Sequence, residues 1–104
     1  MEGPEVVNSP PPGHHESQIT LRYWAGARHA AGVPSDVVST PTPLSLQALV
    51  AHAVALHPDA PRLPQVLGVC SALVDDRPVG TADPGGVLVS PGSTVEFLPP
   101  FAGG

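Results

Sequence analysis

Ile19, Leu21 and Tyr23 alternate with Thr20, Arg22 and Trp24, the period-two pattern of a strand that buries one face. This alternation predicts a first strand beginning at Gln18. The run Ala25-Gly26-Ala27-Arg28-His29-Ala30-Ala31-Gly32 is built of small residues, has room for a short helical turn, and stops before Pro34, a residue that disfavours helix at the position preceding it. Asp36-Val37-Val38-Ser39-Thr40 then reads as a second strand, returning on the first as a hairpin. Leu44, Leu46, Leu49, Val50, Ala53, Val54 and Leu56 recur at helical spacing, with Ser45 placed to cap the first turn. That spacing predicts the main helix, ended by His57-Pro58.

A stretch through Pro61 and Pro64 reads as irregular. Ser71-Ala72-Leu73-Val74 and Arg77-Pro78-Val79 flank Asp75-Asp76, two extended segments around a turn, with Pro78 holding the second at a sheet edge. Asp83-Pro84-Gly85-Gly86 is a further turn, Val87-Leu88-Val89 a short strand or 3₁₀ turn, and Ser90-Pro91-Gly92 another turn. Thr94-Val95-Glu96-Phe97-Leu98 is the last strand. The order β-β-α-β-β, with one short extra segment, belongs to the α+β class. Residues 18–98 are expected to form the domain. Residues 1–17, which include Ser9-Pro10-Pro11-Pro12-Gly13, have too little apolar surface to offset the entropy of ordering and are expected to be a disordered proline-rich tail.

Composition narrows the function classes. A chain of 104 residues with 41% hydrophobic content fits one globular domain, and no apolar run approaches the ~18 residues that suggest a membrane span. The opening Met1-Glu2-Gly3-Pro4-Glu5 lacks the basic and apolar regions of a secretory signal, so a cytoplasmic location is expected. The net charge of −5 leaves no basic stripe for nucleic acid. All four basic residues are arginines, Arg22, Arg28, Arg62 and Arg77, and the chain has no lysine. Cys70 is the sole cysteine; flanked by Val69 and Ala72-Leu73-Val74, it reads as a small core side chain, and it excludes an internal disulfide. His14-His15 reads as a pair of solvated histidines. His52 and His57 read as surface residues without a carboxylate constellation. Asp75-Asp76 reads as a solvated turn. No nucleophile with a base, paired carboxylates in a pocket, or phosphate-cradling loop stands out, so a free-standing enzyme is not expected.

The C-terminus has a different character. After the last strand, Pro99-Pro100 imposes an extended exit, since each ring fixes φ and neither nitrogen can donate to a ladder. The six residues from Pro99 to Gly104 reach roughly 20 Å when extended. Gly103 and Gly104 carry no side chains and can thread a narrow tunnel on another protein.

Thr94-Val95-Glu96-Phe97-Leu98-Pro99-Pro100-Phe101-Ala102-Gly103-Gly104 resembles the terminal signature of the MoaD/ThiS family of sulfur carriers, and within it the MoaD branch of molybdopterin synthase small subunits. Leu21-Arg22-Tyr23-Trp24-Ala25-Gly26-Ala27-Arg28 with Ala30-Ala31-Gly32 resembles the family's first strand and following loop, and Leu67 through Arg77 resembles its actinobacterial members. The resemblance covers 18–104. It implies a β-grasp, ubiquitin-like fold, with a mixed sheet packed on one main helix and a flexible Gly-Gly tail at 99–104.

It also implies a chemistry. A terminal carboxylate, with a reference pKa of ~3.3–3.7, is ionised at neutral pH and a poor electrophile. In the family a MoeB-like enzyme uses ATP and magnesium to make an acyl-adenylate, and a sulfur donor protein displaces AMP, leaving a thiocarboxylate on the residue matched by Gly104. The tail then enters a MoaE-like large subunit. The resemblance assigns Gly104 the reactive position and no bound cofactor or metal to the chain, which would be a sulfur-donating subunit. Phe97, Leu98, Pro99, Pro100, Phe101, Ala102 and Gly103 are the candidate partner contacts, although alternation lets only one of Phe97 and Leu98 face the core. Carriers for thiamine thiazole or cysteine biosynthesis, and protein modifiers joined to lysines, are the alternatives.

Overall fold

A computed structural model of the chain describes residues 17–100. The expected N-terminal tail, apart from Ser17, and Phe101, Ala102, Gly103 and Gly104 lie outside the described residues.

Strand β1 (Gln18–Tyr23) leads through helix α1 (Ala25–Ala31) to β2 (Ser35–Ser39), and the short β3 (Leu44–Ser45) precedes helix α2 (Leu46–Leu56). Helix α3 (Leu63–Val69), β4 (Ser71–Val74), β5 (Arg77–Pro78), a 3₁₀ turn at Pro84–Gly86, β6 (Leu88–Val89) and β7 (Thr94–Leu98) complete the order. Five strands form one mixed sheet in the order β2-β1-β7-β4-β5, and β3 pairs with β6 separately. The first and last of the longer strands, β1 and β7, lie side by side and parallel, while the other pairs are antiparallel. The expected β-grasp arrangement is present.

The first-strand alternation places Ile19 and Leu21 at 0% exposure and Tyr23 at 2%. Leu21 is in register with Val95 and Tyr23 with Phe97, so the two central strands present one continuous apolar face. Leu46, Leu49 and Ala53 of α2 are buried. The Ser45 hydroxyl accepts a hydrogen bond from the Ala48 N–H at 3.0 Å, supplying one of the donors that the first turn leaves without a helical partner. Helix α1 closes on Gly32, whose φ of +79° is the left-handed conformation that glycine adopts at little cost.

Three details depart from the sequence pattern. The main helix begins at Leu46, because Leu44 and Ser45 are drawn into a ladder with Val89 and Leu88. The stretch read as irregular contains α3; Pro64 occupies its first turn, where the missing N–H costs nothing and the fixed φ favours the helix. Asp75 and Asp76 have φ of +50° and +70°, the paired positive values of a tight hairpin turn. The Asp75 carboxylate also accepts the Thr94 N–H at 3.0 Å, so this turn is tied to the start of β7 rather than merely solvated.

Leu49→Ala, at a fully buried position, is expected to cost about 2–5 kcal/mol through lost burial and a residual cavity. Denaturant unfolding with an unchanged m-value checks it.

Candidate functional site

The sequence resemblance puts the expected reactive position at the end of the chain, and the fold sets where the strand before it ends. Strand β7 occupies the middle of the sheet, bonded to β1 on one side and β4 on the other. Its last residue, Leu98, is in register with Ser71. Beyond it Pro99 and Pro100 are exposed, and neither can extend the ladder. The chain therefore leaves the body at a point held on both flanks by backbone hydrogen bonds.

The two residues before the exit divide as alternation requires. Phe97 is buried at 2% exposure and stacks on Tyr23, with ring centroids 5.9 Å apart and planes 20° from parallel. It is a core residue, and its place among the candidate partner contacts is corrected accordingly: the side chain faces α2 and β1, not solvent. Leu98 is half-buried on the opposite face, beside Leu73, Glu96 and Ser71 as the strand register dictates. Leu98, Pro99 and Pro100 remain as the described contact candidates. Phe101, Ala102, Gly103 and the proposed reactive Gly104 fall outside the described residues.

Behind Phe97 lies a polar cluster missed by the sequence reading. The Tyr23 hydroxyl donates to Asp36 Oδ2 at 2.8 Å, and His57 Nε2 contacts the same oxygen. The His57 ring also meets Tyr23 edge-on, with centroids 6.5 Å apart. His57 is thus not a free surface residue; the end of α2 turns it inward, and Asp36 supplies the carboxylate thought absent. Asp36 lies opposite Leu21 in the β1–β2 ladder, on the core side of the sheet. A carboxylate on the inward face of an alternating strand was the available signal, since such a group requires partners. Burial, reinforced by the hydrogen bond to Asp36 and by its charge, pushes the Tyr23 hydroxyl well above the ordinary tyrosine range.

On the outer face, Arg22 reaches Glu96 across the β1–β7 pair at 3.5 Å and lies over the Trp24 ring, 4.9 Å from its centroid. The Trp24 N–H donates to the Phe97 carbonyl at 3.0 Å, carrying the ladder to the edge of the tail. Ala25, the next residue, has φ of +49°, a left-handed conformation that turns the chain sharply into α1. Trp24 itself is 37% exposed.

Among the described residues, no group of three or more His, Cys, Asp or Glu is placed to hold a metal ion, and no helix is long and apolar enough to cross a membrane. Cys70 is half-buried, and burial raises its thiol pKa, which lowers the thiolate fraction. A pocket of about 280 Å³ beside it, between α2, α3 and β4, is lined mainly by apolar side chains, without a nucleophile and base in contact.

The model of the ThiS family matches residues 21–104, which spans the fold and the whole C-terminal tail. A search of curated proteins gives no significant match. Among solved structures, SAMP1 from Haloferax volcanii has a TM-score of 0.64 at 18% identity, covering 84% of this chain and 99% of its own. Urm1 from Trypanosoma brucei has a TM-score of 0.60 at 21% identity, covering 85% and 96%. The complex of subunits 1 and 2 of molybdopterin-converting factor from Helicobacter pylori 26695 contains a chain with a TM-score of 0.53 at 20% identity, covering 84% and 99%. At these identities the likeness is one of fold.

Tyr23 is the only tyrosine, so phenolate absorbance reports on it alone. It is expected to stay neutral in the folded protein well past pH 10, its ordinary value. Because the folded pKa is raised, the contribution to stability is complete below pH 10 and is lost as pH rises from there. A titration with an ordinary tyrosine midpoint in the folded protein would exclude the buried Tyr23–Asp36 bond. Asp36→Asn should shift the midpoint down toward the ordinary value.

Proposed function

The chain belongs to the ThiS family and has the ubiquitin-like fold of MoaD/ThiS-type carriers, and from that premise we propose that it is the sulfur-donating small subunit of a molybdopterin synthase. The observation carrying the reading is the placement of Pro99-Pro100 directly after a strand locked in the centre of the sheet, followed in sequence by Phe101-Ala102-Gly103-Gly104. A stiff exit followed by side-chain-free residues suits delivery of a terminal group into a narrow site on another protein.

In this reading the Gly104 carboxylate attacks the α-phosphorus of ATP, in a magnesium-dependent MoeB-like partner, forming an acyl-adenylate and releasing pyrophosphate. A sulfur donor protein then attacks the acyl carbon. The C–O bond to AMP breaks as the terminal sulfur of the donor's cysteine persulfide forms a C–S bond, and a thiol then attacks the donor-cysteine sulfur of the acyl disulfide, breaking the S–S bond, ending as a disulfide with that cysteine and releasing the thiocarboxylate on Gly104. A MoaE-like large subunit receives the tail and supplies the groups that move sulfur onto the pterin precursor. The association of subunit 1 with subunit 2 in the Helicobacter pylori complex supports such a partner. This chain binds neither the nucleotide nor the metal in the proposal; it acts in the cytoplasm as a substrate-like subunit, and its own contribution is to present the terminal carbonyl.

Likeness to SAMP1, a small archaeal modifier protein, favours a second reading in which Gly104 is joined to lysines of other proteins. The product distinguishes the two. Protein isolated from its native host under the carrier reading is expected to be heavier than the free acid by the difference between one sulfur and one oxygen. Recovery only as isopeptide conjugates would replace the carrier reading with the modifier one. Deleting Gly104 should abolish sulfur transfer with the melting temperature unchanged, since the residue lies beyond the packed strands.

Leu98→Glu is expected to weaken binding to the large subunit by at least tenfold, because a charge would enter an apolar contact at the tail's root. Its effect on folding should stay near about 1 kcal/mol. Undiminished affinity by calorimetry would remove Leu98 from the interface.

A further inference from the structure

An acyl-adenylate reacts with any amine that reaches it, and this chain has none on its side chains: all 104 residues contain four cations, every one arginine. We propose that the body of the protein is a non-acceptor for its own activated terminus, with Arg22 providing a cation at the tail's root where a lysine would capture the acyl group. The proposal rests on activation of Gly104 as set out above, and goes beyond it in assigning a role to the body.

Position 22 is where the requirement is sharpest. Arg22 is in register with Glu96 and pairs with its carboxylate at 3.5 Å, while its guanidinium covers the exposed Trp24 ring. A cation therefore has two partners there. Leu98, the last residue of β7, lies two residues beyond Glu96 on the same face, roughly 7 Å along the strand. Six further residues lead to Gly104, a contour length of roughly 20 Å that exceeds the separation of Leu98 from position 22. A primary amine at this site would be held at high effective concentration by the tail's own tether.

Lysine and arginine differ here in the respect that matters. Both satisfy Glu96 and Trp24 as cations. Lysine, with a reference pKa of ~10.4, exposes a small fraction of free amine at neutral pH, whereas the guanidinium stays protonated and non-nucleophilic. In the unwanted reaction the lysine nitrogen attacks the Gly104 acyl carbon, the bond to the leaving group breaks and an amide forms. The ammonium proton goes to solvent. The amide is a dead end, because neither sulfur transfer nor a second activation is then open to Gly104.

The test uses the full-length chain released from an intein as a C-terminal aryl thioester, in the parent and in Arg22→Lys, Arg77→Lys and Arg22→Gln forms. Arg77 is exposed on the edge strand, so its replacement guards against a local folding defect at position 22. Each is incubated at mildly alkaline pH without added thiol and analysed by intact and peptide mass spectrometry. Aminolysis gives a product lighter than the free acid by one water when intramolecular, or a covalent dimer; hydrolysis gives the free acid. The expected result is that Arg22→Lys forms lysine-linked amide at least tenfold above the parent, Arg77→Lys forms less, and Arg22→Gln matches the parent. The α-amino group is common to all four and sets the background. Amide formation no greater in either lysine variant than in the parent would overturn the proposal, as would a parent that acylates itself as readily as they do. Since the thioester is made without the cellular activating enzyme, such a failure leaves the carrier reading to be judged by the mass of the native protein alone.

Discussion

The pairing of β7 with β1 is the constraint from which the rest follows. Both neighbours of this central strand precede it in the sequence: β1, the first of the described strands, and β4. The parallel pair joins residues separated by most of the sequence, such as Leu21 and Val95. The helices and turns between them therefore serve partly as the crossover that a parallel pair requires. Loss of β7 from the sheet would expose the apolar faces of Leu21 and Tyr23 at once. The root of the tail, at Leu98, is consequently held as firmly as the sheet itself.

Tyr23 shows how the interior serves that root. Its ring supports Phe97 from below, and its hydroxyl would be a costly buried group without Asp36. His57 then shares the Asp36 oxygen, linking the end of α2 to β2 and β1. A part-buried carboxylate with two partners from separate elements ties those elements together, and the cluster sits behind the last inward-facing aromatic of β7.

The legible parts of this fold were those governed by period. Alternation along β1 gave the correct faces for Ile19, Leu21 and Tyr23; on β7 the inward member of the Phe97–Leu98 pair is the aromatic one, which alternation alone left open. Helical spacing located α2 and Ser45 at its cap, but Leu44, which satisfies a helical pattern equally well, is drawn into the β3 ladder. Helix α3 was hidden because two buried leucines, Leu63 and Leu67, make a single turn's worth of pattern, and Pro64 resembles a breaker unless it is known to be in the first turn. The Tyr23–Asp36–His57 cluster could not be read from spacing, since its members lie 13 and 21 residues apart in the two hydrogen-bonded pairs. Only the β1–β2 register and the turn after α2 bring them together.

In the proposed carrier reading, the division between body and tail assigns the chemistry to the partners. Adenylation and sulfur transfer at one carbonyl require nucleotide, metal and general acid–base groups, and a carrier that held them would have to dismantle its own site at each transfer between partners. A body without such groups can instead be handed from one enzyme to the next, each completing a different site around the same terminus. The requirement that remains on the body is negative: it must present the tail without reacting with it. The raised thiol pKa of half-buried Cys70, the tyrosine held neutral by burial and by Asp36, and the use of arginine at every basic position act in the same direction. They leave the body without a side-chain amine and with its thiol and phenol protonated at neutral pH, so in the proposed reading the fate of an activated Gly104 is decided by which partner encloses it.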